Sequence, residues 1–251
     1  QLRRVLPGED IIYFGDTGRV PYGSRGREII RQYARQDIRF LLSHDVKFII
    51  AACGTVSSTY PPEEAARLPV PFTGVVGATA RAAVDATRNG KVGIIGTAAT
   101  VRSGSYAAVI KDMKPETEIV ARACPMFVPL VENGRYERGD VVIETVAREY
   151  LEPIRRSGID TLILGCTHYP LLMDLIGEIM GPEVTLIDTG EEAAWELKRT
   201  LKAKDILSDC AQEGTTTLYA SDQPEDFGSM AKHFLQEELT SPVLQVNIDR
   251  Y

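Results

Sequence analysis

Two cysteines occur in matching sequence contexts that suit proton transfer. Cys53 follows the apolar run Phe48–Ala52, Cys166 follows Leu162–Gly165, and a threonine comes soon after each cysteine. A free thiol has a pKa of about 8.5, so a cysteine can act near neutrality as base or as acid. A thiol at the beginning of a helix also meets N–H groups that favour the thiolate. The pair indicates an enzyme that moves protons, whereas either cysteine alone could be a buried structural residue.

Other chemistry-bearing residues give weaker signals. His168 follows the second cysteine closely, and Asp16 and Asp188 end predicted strands. A Cys-x-His unit supplies too few zinc ligands and the aspartates lie on separate strands, so no metal site is predicted. Neither the dinucleotide-binding glycine motif nor the phosphate-binding loop occurs, and no cofactor is expected. The turns Gly15–Gly18 and Gly96–Thr100 either bind a carboxylate through backbone N–H groups or simply cap helices.

Short runs rich in β-branched residues alternate with amphipathic segments along the chain. Helical periodicity is clearest in residues 26–43, 141–154 and 193–201. The alternation predicts an α/β fold with parallel sheets, in which ligands bind at the carboxyl ends of the strands. The predicted strands are Ile11–Phe14, Val46–Ala51, Val92–Ile95, Glu118–Ala121, Thr161–Leu164, Val184–Ile187, Thr216–Ala220 and Val243–Asn247.

An internal similarity suggests two related halves. Phe48–Thr55 is similar to Leu162–Thr167, and Tyr13–Gly18 is similar to Leu186–Gly190. Each half would present one cysteine at the carboxyl end of a strand.

Composition excludes several classes of protein. The 251 residues are 44% hydrophobic and 25% charged, which is typical of a globular protein with a large core. The net charge of −7 and the lack of a basic cluster argue against nucleic acid and anionic membranes as partners. No apolar run approaches the ~20 residues of a membrane span, and no secretory signal is apparent, so the cytoplasm is the expected location.

Four motifs, taken together and in order, resemble those of glutamate racemase in the aspartate/glutamate racemase family. They are Val20–Gly23, Ala51–Thr55, Gly93–Thr97 and Leu164–Pro170, and the resemblance runs from about Leu2 to the C-terminus. It implies two similar parallel-sheet α/β domains with the active site in the cleft between them. The first domain would comprise residues 1–76 and 187–251, and the second residues 77–186.

The resemblance also implies an activity and a set of site residues. The activity is cofactor-independent interconversion of L- and D-glutamate, which supplies D-glutamate for bacterial peptidoglycan synthesis. By resemblance, Cys53 and Cys166 are the acid/base groups, His168 assists the second cysteine, and Glu132 is the carboxylate partner of that histidine. The residues matching substrate-binding positions are Tyr22, Gly23, Gly54, Thr55, Thr100 and Thr167. A homodimer is compatible with the resemblance, although the residues themselves indicate no interface.

Two departures from the family pattern stand out. Gly54 occupies a position that is usually asparagine, so a side-chain amide contact to the substrate is absent or supplied elsewhere. The family pattern also begins with a strand ending in Asp-Ser-Gly, and the sequence joins that pattern only at the following helix. We therefore expect that Gln1 lies partway into the family pattern, with one strand and two polar site residues upstream of it.

Three other functions compete with this interpretation. Racemisation of aspartate or hydantoins, or a related decarboxylation, uses the same scaffold, and the altered substrate contact at position 54 leaves this alternative open. A catalytically inactive ligand-binding or regulatory protein is the second alternative. Thiol-disulfide exchange is the third, and the absence of Cys-x-x-Cys argues against it.

Overall fold

The computed structural model describes residues 1–235, 238–239 and 241–251, and strands alternate with helices through this part of the chain. The strands are β1 (Ile11–Gly15), β2 (Ile49–Ala51), β3 (Phe72–Gly74), β4 (Lys91–Gly96), β5 (Glu118–Ala123), β6 (Thr161–Leu164), β7 (Thr185–Asp188), β8 (Thr216–Ala220) and β9 (Leu244–Gln245). The helices are α1 (Leu2–Val5), α2 (Arg27–Leu42), α3 (Gly54–Thr59), α4 (Pro62–Ala65), α5 (Val76–Ala86), α6 (Ala98–Ser103), α7 (Ser105–Met113), α8 (Phe127–Glu132), α9 (Val141–Arg156), α10 (Met173–Met180), α11 (Thr189–Ala203) and α12 (Pro224–Leu235). Short 3-10 turns lie at Thr17–Arg19, Tyr22–Ser24, Tyr169–Leu172 and Ile248–Arg250.

The middle of the chain forms a four-stranded sheet in the order β5-β4-β6-β7, with every pairing parallel. Strand β6 is buried along its whole length because helices cover both faces of the sheet. Full burial of each leucine or isoleucine side chain stabilises such a sheet by about 1.5 to 3 kcal/mol. Residues Gly165 and Cys166 follow β6 directly, so the core fixes the position of the second cysteine.

The remaining strands form two smaller sheets, β1-β8-β9 and β2-β3, which are also parallel. Cys53 lies two residues beyond the end of β2 and is the N-cap residue of α3. The edges of β1 and β2 line a cavity of about 530 Å³, which contains none of the predicted site residues. Among the described residues, none of the helices combines the length and the apolar character that a membrane span requires.

The predicted fold class is confirmed, because parallel strands alternate with helices throughout the described residues. Each predicted strand contains an observed one or overlaps it, although β2 and β9 are shorter than predicted. Strand β3 was not predicted, since Phe72–Gly74 is too short to show a periodic pattern. The domain boundaries stay a prediction, and the one between residues 186 and 187 falls within β7.

Candidate active site

A cavity of about 460 Å³ lies where the carboxyl ends of strands from the different sheets meet. Its volume is within the range of pockets that bind small molecules. Residues at or just beyond the ends of β1, β2, β4, β5 and β6 line it: Asp16, Cys53, Thr97, Cys124 and Cys166. This is the edge of the sheets at which the sequence places a ligand. Every predicted site residue except Thr100 lines this cavity.

Cys53 lies half-buried in the cavity wall at the beginning of α3. Burial raises the pKa of the Cys53 thiol above its ordinary value, and the N–H groups of Val56 and Thr55 offset only part of this rise. The helix start therefore favours the thiolate, as the sequence suggests, but burial outweighs it. In the protein without a ligand, Cys53 is a thiol near neutral pH.

Cys166 lines the same cavity and is buried more deeply. Burial raises the pKa of Cys166 to about 12, the backbone N–H of His168 lowers it, and the charges of Cys53 and Glu132 raise it further. Because ionisation of one cysteine raises the pKa of the other, the pair resists carrying two negative charges. A state with one thiolate and one thiol is the ionised form that this arrangement favours.

A histidine and a carboxylate extend from Cys166. The Nδ1 atom of His168 lies 3.8 Å from the Cys166 sulfur, and its Nε2 atom lies 3.0 Å from Oε1 of Glu132, at the end of α8. An imidazole that donates Nε2–H to the carboxylate leaves Nδ1 free to accept a hydrogen bond from the thiol. The next residue, Tyr169, is fully buried and donates a hydrogen bond to the Cys124 carbonyl at 3.1 Å, which anchors this loop.

The wall formed by Tyr22 and Gly23 is held by a buried cluster of charged groups. The Tyr22 hydroxyl donates hydrogen bonds to Asp16 and Asp37, and Arg19 forms ion pairs with the same two carboxylates at 2.6 and 2.8 Å. Burial raises the pKa of Asp37 to about 7, and the Asp16 charge adds to the rise. These contacts fix the loop that carries Tyr22 and Gly23 at the mouth of the cavity.

Three threonines form a hydrogen-bonded row that begins at the cavity wall with Thr55 and Thr97. The Thr97 hydroxyl lies 2.9 Å from that of Thr55 and 3.0 Å from that of Thr100. Thr97 is also the N-cap of α6 and accepts a hydrogen bond from the Thr100 N–H at 3.2 Å. Thr100 thus lies behind Thr97, outside the lining of the cavity, and its contact with a substrate stays a prediction. The structure places Thr97 in the position facing the cavity.

Gly54 lies in close contact with the loop that carries the second cysteine. A Cβ atom at this position would lie 2.3 Å from the carbonyl oxygen of Gly165 and 3.3 Å from its carbonyl carbon. Both neighbours are backbone atoms, so no side-chain rotation can relieve the overlap. The side-chain contact expected for asparagine has no space here, because the backbone of the opposite loop occupies it.

We expect Gly54→Ala to lower kcat/KM by about tenfold or more, because the two cysteine-bearing loops must separate to admit a methyl group. Steady-state kinetics and thermal unfolding of the purified variant measure the effect. Gly77→Ala is the matched control, since nothing lies within 4 Å of a Cβ built at that exposed helical position. Unchanged kinetics in the Gly54 variant would contradict this role for the close contact.

Two polar side chains of the cavity lining, on β1 and α2, show no signal in the sequence. Tyr13, on β1, and Asp37, on α2, both line the cavity. Asp37 occurs in an amphipathic helix among other polar residues, and no spacing distinguishes it from a solvent-exposed side chain. The sequence does indicate Thr97, because this residue lies in the turn Gly96–Thr100, which is a candidate for carboxylate binding.

Known proteins are similar to this chain over nearly its whole length. The family model described as Asp/Glu/Hydantoin racemase matches residues 1–197. A glutamate racemase from Geobacter metallireducens is 42% identical over 249 residues, which cover 99% of this chain and 91% of that protein. The structure of a glutamate racemase from Bacillus anthracis has a TM-score of 0.93 at 33% identity and covers 98% of this chain and 90% of its own. The structure of a glutamate racemase from Francisella tularensis in complex with D-glutamate has a TM-score of 0.89 at 35% identity. The match covers 100% of this chain and 92% of that chain.

Proposed function

The chain belongs to the Asp/Glu/hydantoin racemase family, and on that basis we propose that it interconverts L- and D-glutamate without a cofactor. The observation that carries the proposal is that Cys53 and Cys166 line one cavity from separate strands. The relatives described above are named glutamate racemases and match nearly the whole chain. A cavity of about 460 Å³ has room for a dicarboxylic amino acid.

Racemisation requires removal of the Cα proton from one face of the amino acid and delivery of a proton to the opposite face. In the proposed mechanism one cysteine, as thiolate, takes the proton, and the other, as thiol, supplies one. The roles reverse when the other enantiomer is bound. The mutual repulsion of the two thiolates suits this chemistry, because it favours one base and one acid in the same site.

His168 and Glu132 assist the second cysteine in this scheme. Nδ1 of His168 accepts a hydrogen bond from the Cys166 thiol, and the Glu132 carboxylate at Nε2 holds the imidazole in that orientation. Backbone N–H groups stabilise the negative charge that develops on the substrate carboxylate. Substrate contacts are assigned to Tyr22, Gly23, Thr55 and Thr167, with the backbone of Gly54 between the two cysteines and Thr100 acting through Thr97.

We expect His168→Asn and Glu132→Gln each to lower kcat by about 10²-fold, because each removes a group that assists proton transfer at Cys166. Steady-state kinetics with both enantiomers measure the loss. Glu178→Gln is a suitable control, because Glu178 forms an exposed ion pair with Arg138 and neither residue lines the cavity. Normal kcat in both site variants would exclude a role for this pair.

The biological setting follows from the proposed reaction. We propose that the protein supplies D-glutamate for bacterial peptidoglycan synthesis and acts in the cytoplasm, where that precursor is made. A homodimer is the proposed assembly, and the molar mass in solution tests it.

The test of the proposed function is circular dichroism of the purified protein with each glutamate enantiomer, combined with wash-in of solvent deuterium at Cα. We expect loss of optical activity from both enantiomers and one deuterium per turnover. The same assay with D-aspartate and hydantoins tests racemisation of these related substrates. They are alternatives to glutamate because Gly54 has no side chain to contact the substrate. Binding of D-glutamate without deuterium exchange would favour a ligand-binding protein instead.

A further inference from the structure

Helix α12 carries two phenylalanines that contact aromatic residues of the cavity lining. The ring of Phe227 stacks on Tyr13, with centroids 5.6 Å apart and ring planes at 15°. The ring of Phe234 meets the imidazole of His168 edge to face, with centroids 5.5 Å apart and planes at 87°. Each geometry is a favoured arrangement of aromatic pairs. One helix therefore contacts two aromatic residues that line the cavity.

The spacing of the two phenylalanines explains how one helix reaches both aromatic residues. Seven residues make two helical turns, so Phe227 and Phe234 lie on the same face of α12, about 10.5 Å apart along its axis. The N-terminal part of α12 follows β8, which pairs with β1 and its residue Tyr13. Phe234 instead packs against the hydrophobic core around the β5-β4-β6-β7 sheet. The helix thus connects the two parts of the molecule that provide the cysteines.

The two aromatic neighbours differ in their chemical roles. Tyr13 and Cys53 line the same cavity. His168 contacts Cys166 through Nδ1 and Glu132 through Nε2. Rotation of the imidazole about its Cβ–Cγ bond would break both contacts at once. Glu132 holds one edge of the ring, and Phe234 restricts the rotation from another side.

We propose that Phe227 and Phe234, the phenylalanine pair of α12, are positioning residues for the two proton transfers, Phe234 through His168 at Cys166 and Phe227 through Tyr13 at Cys53. This inference rests on the proposed racemisation. It assigns to the C-terminal part of the chain a role in the chemistry, although neither phenylalanine lines the cavity. It also requires that loss of one phenylalanine affects the proton transfer at one cysteine more than at the other.

Primary isotope effects with α-deuterated L- and D-glutamate test this requirement. The enantiomers have equal free energies, so kcat/KM must fall equally for both, and we expect a loss of about tenfold in Phe234→Leu. The isotope effect on kcat/KM should rise for the enantiomer that Cys166 deprotonates and fall for the other. Phe227→Leu should show the opposite asymmetry. Leucine keeps the apolar bulk and removes the ring, so the fold is retained.

Leu235→Ala is the control, because Leu235 is exposed and adjacent to Phe234 on the same helix. A second readout needs no activity: the imidazole C–H resonances of His168, assigned with His168→Asn, should shift in Phe234→Leu and stay in place in Leu235→Ala. Unshifted resonances, or equal isotope effects in both phenylalanine variants, would overturn the inference. A wild-type protein without racemisation would instead overturn the proposed function, so the two failures are distinguishable.

Discussion

Cys53→Ala and Cys166→Ala are each expected to lower the rate of racemisation by about 10²- to 10⁴-fold, the contribution typical of a general acid or base. Each variant lacks the group on one face of the substrate, so inversion cannot be completed. The remaining cysteine still faces the other side of Cα. We therefore expect slow exchange of the Cα proton with solvent deuterium in one enantiomer only, and in the opposite enantiomer for the other variant.

Stereospecific exchange measured by proton NMR, together with racemisation measured by circular dichroism, tests this prediction. Cys210→Ser is the matched control, because Cys210 is an exposed free thiol outside the cavity. Cys124→Ala tests whether any buried cysteine of the cavity wall is needed for racemisation. Cys124 lines the cavity and is fully buried but has no part in the proposed chemistry. Racemisation of both enantiomers at the normal rate by Cys53→Ala would refute the two-cysteine mechanism.

The pH dependence of kcat/KM is expected to be the second large effect. Burial raises the pKa of Cys166 to about 12 and also raises the pKa of Cys53, so both are thiols in the free protein near neutrality. The reaction needs one thiolate, and its population increases as pH rises toward the thiol pKa. We therefore expect kcat/KM to rise about tenfold per pH unit from about pH 7 to about pH 8.5.

Measurement of kcat/KM across this range is best paired with alkylation of the thiols by iodoacetamide. The Cys210→Ser background removes the reactive exposed thiol from the alkylation signal. A thiol whose pKa is higher in the folded than in the unfolded protein contributes to the stability of the fold. This contribution is complete at pH values below the pKa of the thiol in the unfolded protein, about 8.5. That contribution is lost as pH rises to about 12 for Cys166, so the fold stays intact in the assay range. A flat profile of kcat/KM would show that the pair already holds one thiolate in the free protein.

Much of the fold was predictable from local sequence patterns. Thr161–Leu164 forms β6 as predicted, and α2 lies within the amphipathic segment of residues 26–43. Apolar runs and helical periodicity report burial directly, because a buried strand or helix face must consist of apolar residues. Strands β2 and β9 were predicted too long, since their pairing depends on neighbouring strands and not on their own residues.

The sequence by itself determined the fold class, the two cysteines at strand ends and the family that they resemble. These are properties of residue types and their spacing, and a parallel sheet brings the ends of its strands to one edge. Only the tertiary structure decided which side chains surround the two thiols. It brought Asp37, Tyr13 and Thr97 to the cavity and placed Thr100 behind it.

The tertiary structure also decided the charge state of the thiols and the space at Gly54. The start of a helix can be recognised in the sequence and favours a thiolate, but the stronger effect is desolvation, which depends on every chain segment packed around the sulfur. The contact between Gly54 and the Gly165 carbonyl joins residues more than a hundred positions apart. Interactions of this kind depend on distances between elements that fold separately along the chain, and residue spacing in one sequence does not contain those distances.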